Sequence, residues 1–315
     1  MPAKTLVVLN PRSRGGRHAR RWAQLEQRLR RGLGPLEVQP TGAPRDAVRV
    51  AREAARAGVE RIIVAGGDGT VSEVATGLLS AGLGNTVQIG LLPFGTGGDL
   101  VRGLGLPLDA GLAGEALETA KPRPIDAGRV RCRDAEGRER TSWFANEVSF
   151  GASGRVVALA DAYGRRLGWL GRAGGSLAFL LAILRTVVGL RPAPATVRVD
   201  GETVHEGPLV LAVLANAGSF GGGIPVAPGA RPDDGVFDAV IVRGCSRLRL
   251  AGKLHKLYRG VHLEDPIVRL CRGRSFELDA AEATLPVEAD GEPLGSLPAR
   301  VDVLPGALTL LFPAP

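Results

Sequence analysis

The sequence predicts an α/β domain with a parallel sheet, followed by a second, mainly β domain of β-sandwich-like type. Over the first hundred residues, short apolar runs alternate with helical stretches, which is the pattern of a parallel sheet covered by helices. From about Asp126 the pattern changes to short β-rich runs separated by turn residues. A chain of 315 residues with 44% hydrophobic residues can form two cores. We assign residues 1–127 to the first domain and 128–315 to the second, and leave open that the last strand returns to the first.

The first domain is expected to contain four strands joined by helices. Each strand is a short apolar run that ends at a turn or a Gly-rich segment, and each helix carries apolar residues at helical spacing. The predicted strands are 5–10, 36–39, 61–65 and 88–92, and the predicted helices are 17–31, 46–57 and 71–79.

The second domain is predicted as a series of short strands with one helical insert. The predicted strands are 128–132, 142–150, 196–199, 209–215, 236–242, 275–278, 284–288 and 300–304, and the insert is 155–190. Within the insert, the run Leu177–Leu190 is apolar on most sides, which favours a core helix. The alternatives are a wall of a lipid pocket or a face that contacts a membrane. The run is too short to span a bilayer, and Arg185 interrupts it.

Charge and cysteine content narrow the function classes. The net charge of +8 suits anionic partners, but no Lys/Arg block with interleaved aromatic residues occurs, so nucleic acid is not an expected partner. Three widely spaced cysteines form neither a disulfide framework nor a zinc pattern. Because the N-terminus also lacks an apolar stretch of signal length, we expect a cytoplasmic protein that contacts the membrane, if at all, from the inner face.

The segment Gly66-Gly67-Asp68-Gly69-Thr70 lies between a predicted buried strand and a predicted helix. Glycines there let backbone N–H groups approach phosphate oxygens, and the helix N-terminus adds partial positive charge. The Thr70 hydroxyl could cap the helix or bind a phosphate. The Asp68 carboxylate would repel phosphate unless Mg²⁺ stands between them, so the segment indicates a phosphate site with a metal. The alternative is a Gly-rich turn held by its Asp.

A second Gly-rich segment, Pro93–Asp99 (PFGTGGD), also follows a predicted strand. Ligands of open parallel sheets bind outside the carboxyl ends of the strands, so two such segments at one edge indicate a nucleotide phosphate site. Asp68 and Asp99 are its candidate carboxylates, and Asn10 begins a third loop at the end of the first strand. The sequence contains no Walker A pattern and no G-x-G-x-x-G, which disfavours P-loop NTPases and Rossmann dehydrogenases.

These segments resemble a known family. Three segments are similar to the catalytic domain of diacylglycerol kinases and bacterial lipid kinases: NPRSRGG, GGDGTVSEV and LLPFGTGGDLVRGLGLP. That domain is related to the nucleotide sites of NAD kinases and phosphofructokinases. The resemblance continues through Pro124–Asp126, residues 214–242 and Glu288–Leu294 (EADGEPL). Because several ordered motifs extend over roughly the whole chain, the resemblance is specific.

The resemblance implies an ATP-dependent, Mg²⁺-requiring kinase that phosphorylates a lipid hydroxyl at a membrane surface. The residues that it places around ATP are Asn10, Thr41, Gly66, Gly67, Asp68, Gly69, Thr70, Glu73, Gly95 and Thr96. It gives catalytic roles to Asp68, Asp99 and Glu292, with Glu292 as the general base toward the lipid hydroxyl. Asp126 would help to organise the reacting phosphate and its Mg²⁺. A structural Mg²⁺ would lie at Asp234, with backbone oxygens near Arg231 and Val236.

The chain departs from the family pattern at two places. Gly98 stands where the family usually has Asn, which removes a side-chain amide, and Gly151–Gly154 lacks an acidic residue that the family often carries there. Two alternatives to a lipid kinase stay open. One is an NAD-kinase-like enzyme with a soluble acceptor, and the other is a catalytically silent protein that binds nucleotide or lipid. The identity of the lipid and the oligomeric state, a homodimer included, stay open as well.

Overall fold

The structure, a computed structural model, describes residues 4–13, 19–95, 97–167, 172–280 and 285–314. Thr96 and residues 14–16 of the NPRSRGG segment lie outside this set. The chain divides into two compact units: unit 1 is Met1–Asp126 with Gly306–Pro315, and unit 2 is Ala127–Pro305. The predicted fold class, an α/β part followed by a mainly β part, is confirmed.

The bounds of the elements follow the chain order. The strands are β1 (Thr5–Leu9), β2 (Leu36–Pro40), β3 (Arg61–Gly66), β4 (Gln88–Pro93), β5 (Lys121–Arg133), β6 (Glu139–Phe144), β7 (Glu147–Gly151), β8 (Ala193–Val199), β9 (Glu202–Ala215), β10 (Phe237–Arg243), β11 (Val268–Gly273), β12 (Ser275–Ala280), β13 (Pro286–Ala289) and β14 (Glu292–Phe312). The α-helices are α1 (Ala19–Leu33), α2 (Asp46–Arg56), α3 (Asp68–Ser80), α4 (Asp99–Gly103), α5 (Ala110–Glu118), α6 (Ala152–Leu167), α7 (Arg172–Val188), α8 (Arg247–Ala251) and α9 (Leu254–Tyr258).

Unit 1 is a parallel sheet in the order β2-β1-β3-β4-β14, with helices on both faces. Because successive strand side chains point to opposite faces, alternate apolar residues form two cores. On one face, Val7, Ile63 and Leu92 pack with α1 and α5. On the other face, α2 and α3 pack closely: a Cβ at Gly77 would lie 2.4 Å from the Val48 carbonyl oxygen. The carboxyl ends of β1, β2, β3 and β4 therefore share one edge.

Unit 2 is built from antiparallel strands. The sheet β11-β10-β9-β7-β13-β14 is extended by β8 and β12, which pair with each other. One face of this sheet packs into a β-sandwich-like core that contains Val148, Phe150 and Val287. Ser149 and Glu288, which alternate with these residues and pair across β7 and β13, point to the other face. Helices α6 and α7 pack against each other, and α6 also contacts β7, β9 and β13.

Several elements differ from the sequence prediction, and β11, α4, α8 and α9 were not predicted. Helix α3 begins at Asp68, three residues before the predicted start, because a carboxylate in the first turn suits the positive end of a helix. Helix α5 was not predicted; its N-cap is Asp109, whose side chain accepts from two backbone N–H groups. The predicted strand 142–150 is divided into β6 and β7. No helix in the described ranges is long and apolar enough to cross a membrane.

Candidate functional site

The two Gly-rich segments meet at the carboxyl edge of the unit 1 sheet. The Gly66 carbonyl oxygen accepts hydrogen bonds from the N–H groups of Phe94 (2.8 Å) and Gly95 (3.2 Å). Gly67 and Gly95 pack so closely that a Cβ at Gly95 would lie 2.5 Å from the Gly67 Cα. A side chain at Gly95 would force the two segments apart. The structure thus brings Gly66, Gly67 and Gly95 together, whereas Thr96 is outside the described residues.

Asp68 joins the same two segments through its carboxylate. Its Oδ2 accepts from the Gly98 N–H at 2.6 Å, and its Oδ1 accepts from the Asp99 N–H at 2.9 Å. A Cβ at Gly97 would lie 2.3 Å from Asp68 Oδ2, so only glycine leaves room for this contact. The expectation that residues 66–70 form a loop is wrong, because residues 68–70 are the first turn of α3. In this structure Asp68 braces the turn 97–99, and its contact with metal or phosphate stays a prediction.

Asn10 ties the loop after β1 to the first turn of α3. Its Nδ2 donates to Thr70 Oγ1 at 3.0 Å, and its Oδ1 accepts from the Arg12 N–H at 3.0 Å. Gly66 leaves space for the Thr70 side chain, since a Cβ there would lie 2.5 Å from Thr70 Oγ1. A Cβ at Gly69 would meet no described atom within 4 Å, so the first turn of α3 borders open space.

Glu73 and Thr41 hold the loop between β2 and α2. Glu73 Oε1 accepts from the Arg45 N–H at 3.0 Å, and its Oε2 accepts from the Ala47 N–H at 3.1 Å. The Thr41 N–H donates to the Leu9 carbonyl oxygen at 2.8 Å, which joins the ends of β2 and β1. The Glu73 carboxylate is therefore engaged with backbone donors and positions the loop. Contacts of Glu73 and Thr41 with ATP stay predictions.

Asp99 lies buried at the start of α4, and sequence reasoning missed its partner Arg102. Arg102 Nη1 donates to Asp99 Oδ1 at 3.2 Å, and the guanidinium also reaches the carbonyl oxygens of Gly98 and Gly97, each at 3.4 Å. The three-residue spacing on a helix is the signal that could have found it. Arg102 adds a cation beside Asp99, which lowers the electrostatic cost of bringing a phosphate to this edge.

Asp126 is buried where β5 leaves unit 1. Its Oδ1 accepts from the Gly306 N–H at 2.8 Å, so it fixes the point at which β14 enters the same unit. This contact gives Asp126 a role in the fold. Its role in organising Mg²⁺ stays a prediction.

The surroundings of Asp234 in unit 2 do not fit the structural Mg²⁺ that the resemblance implied. Arg272 Nη2 donates to Asp234 Oδ2, and Arg272 Nε donates to Asp238 Oδ1 at 2.7 Å. Asp234 Oδ1 accepts from the Val236 N–H at 3.3 Å, while the Arg231 side chain pairs with the acidic residue two positions further on. A guanidinium thus stands where a divalent cation would pair with the carboxylate. Within the described ranges, no cluster of three or more His, Cys, Asp or Glu residues could hold a metal ion.

Glu292, the predicted general base, is exposed where β14 leaves the turn of the β13–β14 hairpin. The turn begins at Asp290, whose carboxylate holds the connection between β6 and β7. Asp290 Oδ1 accepts from the N–H groups of Asn146 (2.9 Å) and Glu147 (3.1 Å), and Oδ2 accepts from that of Ala145 (3.0 Å). These bonds replace strand pairing at 145–146 and explain why the predicted strand is divided. No role for Asp290 was predicted from the sequence.

An apolar cavity of about 130 Å³ lies in unit 2. Helix α7 contributes Phe179, Ile183 and Val187 to its wall, and the remaining wall comes mainly from α6, β9, β10, α8 and α9. The opposite side of α7 is exposed; its large apolar residues, 36–65% exposed, are Leu177, Leu180, Leu181, Leu184 and Val188. The expectation of a core helix is therefore wrong for this outer side.

Glu288 lines the same cavity although its side chain is only 1% exposed. Its Oε1 accepts from Ser149 Oγ at 2.6 Å. Burial raises the pKa of Glu288 to about 7, against the opposing effect of the Ser149 and Ser153 hydroxyls. Sequence reasoning did not single out Glu288, because an acidic residue before a turn usually lies in solvent.

Comparisons with known proteins find lipid kinase relatives over both units of the chain. Residues 4–130 match the diacylglycerol kinase catalytic domain, and residues 146–312 match the YegS C-terminal NAD kinase beta sandwich-like domain. The chain is 32% identical over 287 residues to "Probable lipid kinase YegS-like" of Chromohalobacter salexigens, covering 91% of this chain and 86% of that protein. It is 29% identical over 312 residues to "Diacylglycerol kinase" of Mycobacterium tuberculosis, covering 98% and 95%. In fold it resembles the crystal structure of a diacylglycerol kinase from Bacillus anthracis str. Sterne, with a TM-score of 0.77, 24% identity and coverage of 98% and 96%.

Proposed function

Because the chain belongs to the family of diacylglycerol kinases and YegS-like bacterial lipid kinases, we propose that it transfers the γ-phosphate of ATP to a lipid hydroxyl. The observation that carries this proposal is the contact of Gly67 with Gly95, braced by Asp68 at the carboxyl edge of the parallel sheet. The apolar cavity of unit 2 favours a lipid over a soluble acceptor.

In the proposed reaction, unit 1 binds ATP together with the Mg²⁺ that accompanies it as substrate. Backbone N–H groups at the start of α3 and the Arg102 guanidinium would face the phosphates, because both are donors that carry positive charge. Phosphoryl transfer needs alignment and charge neutralisation more than covalent help from the protein. The rigid packing at Gly67 and Gly95 would supply that alignment.

Glu292 is proposed as the general base. Its carboxylate would accept the proton of the lipid hydroxyl, whose oxygen attacks the γ-phosphorus as the bond from that phosphorus to ADP breaks. The products are ADP and a lipid phosphate. The exposure of Glu292 beside the turn supports this role, because a lipid presented from outside can reach it.

The exposed side of α7 supports a lipid taken from a membrane surface. Its row of leucines, of which Leu180 and Leu184 are 36% and 43% exposed, gives an apolar side that could enter the headgroup region. We therefore propose reversible contact with a membrane surface, and we keep the inner face of the cytoplasmic membrane as the proposed location. The double variant Leu180→Gln/Leu184→Gln should sediment less with anionic vesicles while its folding is unchanged.

The function is tested by supplying labelled ATP with either micellar lipid or NAD. The lipid panel contains diacylglycerol, monoacylglycerol, phosphatidylglycerol and a sphingoid base. We expect label in at least one lipid and none in NAD. Asp68→Ala and Glu292→Gln should each lower the rate at least roughly 100-fold. The matched control Asp134→Ala, which removes a carboxylate that accepts backbone N–H groups in an exposed turn of unit 2, should keep the rate.

Two results would overturn the proposal. Label in NAD but in no lipid would indicate an enzyme with a soluble acceptor. ATP binding without transfer to any lipid would indicate a catalytically silent protein.

A further inference from the structure

Four buried polar atoms in the wall of the unit 2 cavity have no hydrogen-bond partner within the described part of the chain. They are Glu288 Oε2, Ser153 Oγ, Thr186 Oγ1 and His262 Nδ1. The four residues are only 1%, 4%, 4% and 6% exposed. A buried polar atom without a partner costs free energy, and four of them around one cavity indicate a ligand that supplies missing bonds.

The chemistry of these atoms specifies what the ligand must carry. His262 Nε2 donates to the Val226 carbonyl oxygen at 2.9 Å, so in the neutral ring Nδ1 is an acceptor. Glu288 Oε1 already accepts from Ser149, and the Ser153 hydroxyl also acts on this carboxylate, while Oε2 has no hydrogen bond within the described residues and can serve as a second acceptor. Burial disfavours the Glu288 carboxylate and raises its pKa, and a donor beside Oε2 would favour the carboxylate again. The ligand therefore needs an O–H or N–H group.

The rest of the wall requires an apolar ligand. The cavity measures about 130 Å³, and Phe179, Ile183, Leu254 and Val240 are among the apolar side chains that line it. An apolar protein cavity of roughly 150 Å³ binds benzene, so this one can enclose about six carbon atoms of a chain. A soluble polar metabolite would lose its hydrogen bonds to water here, and the apolar wall would not replace them.

Glu288 and the proposed base Glu292 lie on opposite faces of the β13–β14 hairpin. Ala289 is paired directly with Glu292, and paired residues of antiparallel strands share a face. Glu288 precedes Ala289 and points to the other face, toward Ser149. The group that Glu288 recognises is therefore separate from the hydroxyl that Glu292 would deprotonate.

We propose that this cavity binds the chain of a lipid that carries a hydroxyl or amino group besides the phosphorylated one, and that Glu288 Oε2 accepts a hydrogen bond from it. This inference rests on the proposed function and narrows the substrate class to lipids with such a second donor. Thr186 and His262 line the same space and add to the polar part of the site.

Matched ligands test the proposal by calorimetric titration of the full chain without ATP. The probes are 1-octanol, octylamine and 1-methoxyoctane, which share a chain and differ in the donor. The wild type should bind the alcohol or the amine at least about tenfold more tightly than the ether. Whether the alcohol or the amine binds more tightly than the ether then indicates whether the natural group is a hydroxyl or an amine.

Variants test whether Glu288 causes the preference for the alcohol or the amine over the ether. Glu288→Leu should abolish it and keep ether binding, whereas the matched control Glu277→Leu, a partly exposed position on β12, should keep the preference. If Glu288→Leu does not fold, Glu288→Gln keeps the shape and should lower octylamine affinity about tenfold, with ether affinity unchanged. Three results overturn the proposal: equal affinity of the wild type for all three probes, a preference that survives in a folded Glu288→Leu variant, or an octylamine affinity that is unchanged in Glu288→Gln.

The outcomes separate this inference from the proposed function. Lipid phosphorylation without a preference for the donor-bearing probes would overturn only the inference. The preference without phosphorylation of any lipid would overturn only the proposed function, because binding is measured without ATP.

Discussion

Gly67 and Gly95 are in backbone-to-backbone contact: a Cβ at Gly95 would lie 2.5 Å from the Gly67 Cα, and one at Gly67 would lie 3.1 Å from the Gly95 Cα. This contact makes the start of α3 and the turn after β4 one continuous surface. The Asp68 carboxylate reinforces it with two hydrogen bonds to the turn 97–99. The proposed ATP site depends on this surface.

Gly95→Ala is expected to damage the ATP site and the fold of unit 1. The added methyl group would meet backbone, which cannot rotate away, so the free energy of unfolding should fall by about 1–3 kcal/mol. ATP affinity should fall at least tenfold or so, because the two segments separate. Urea unfolding and ATP titration check both effects. Gly229→Ala is the control, since its Cβ would meet no described atom within 4 Å; equal effects of the two variants would contradict the account.

Gly98→Asn is expected to be tolerated. Gly98 has φ 80 and ψ 39, the left-handed conformation that Asn adopts more readily than other non-glycine residues. A Cβ there would lie 2.8 Å from Leu108 Cδ2, the end of a side chain that can rotate. The free energy of unfolding in urea should stay within about 1 kcal/mol of the wild type, whereas Gly98→Val should lose roughly 1–2 kcal/mol more. A Val variant as stable as the Asn variant would show that the turn does not need this conformation.

Removal of divalent cations is expected to leave the stability of the chain without nucleotide unchanged. Arg272 already neutralises Asp234 and Asp238, so Mg²⁺ or EDTA should shift the Tm by about 1 °C or less. Arg272→Ala should lower the free energy of unfolding by roughly 3 kcal/mol, since it leaves the buried Asp238 without its partner. In that variant Mg²⁺ should restore part of the loss.

Thermal melts with and without Mg²⁺ check the expectation for Arg272. The control is Arg138→Ala, because the side chain of Arg138 is 72% exposed and its ion pairs should contribute little. A wild-type Tm that rises by several degrees with Mg²⁺ alone would contradict the assignment of Arg272 in place of a metal.

Glu288 is expected to make stability depend on pH. Its pKa in the folded protein is raised to about 7, so the folded state keeps a proton that the unfolded chain loses above its usual pKa of about 4.3. The stabilisation is fully present below the unfolded pKa and is lost as the pH rises through 7. Relative to Glu288→Gln, the wild type should lose about 2–3 kcal/mol between about pH 5 and about pH 8.

Urea unfolding at several pH values measures this difference. The comparison with Glu288→Gln cancels other titratable groups in the cavity wall, which are Lys253, Lys256, His262 and Asp265. A difference that stays constant with pH would show that Glu288 is not the group responsible.

Local sequence patterns predicted most strands of unit 1 and the sheet edge where the two Gly-rich segments lie. Four of the five parallel strands of unit 1 followed from apolar runs ending at turns, and the edge with the two Gly-rich segments followed from their order. The start of α3 was misplaced because glycines suggested a loop, whereas Asp68 bonds to a turn 30 and 31 residues away.

Contacts between distant residues explain what the sequence did not predict. Ser149 and Glu288 are 139 residues apart, and Arg272 is 38 residues from Asp234. Contacts between residues so far apart along the chain leave no periodic pattern in the sequence. The cavity needs α6, α7 and the outer face of the unit 2 sheet together, so the α7 sequence alone could not tell its lining side from its exposed side.

The most direct test of the account is transfer of label from γ-phosphate-labelled ATP into a total lipid extract, followed by identification of the labelled lipid. The account predicts a labelled lipid phosphate with the wild type and none with Asp68→Ala or Glu292→Gln. An extract that stays unlabelled, with a wild-type protein that binds ATP, would contradict it.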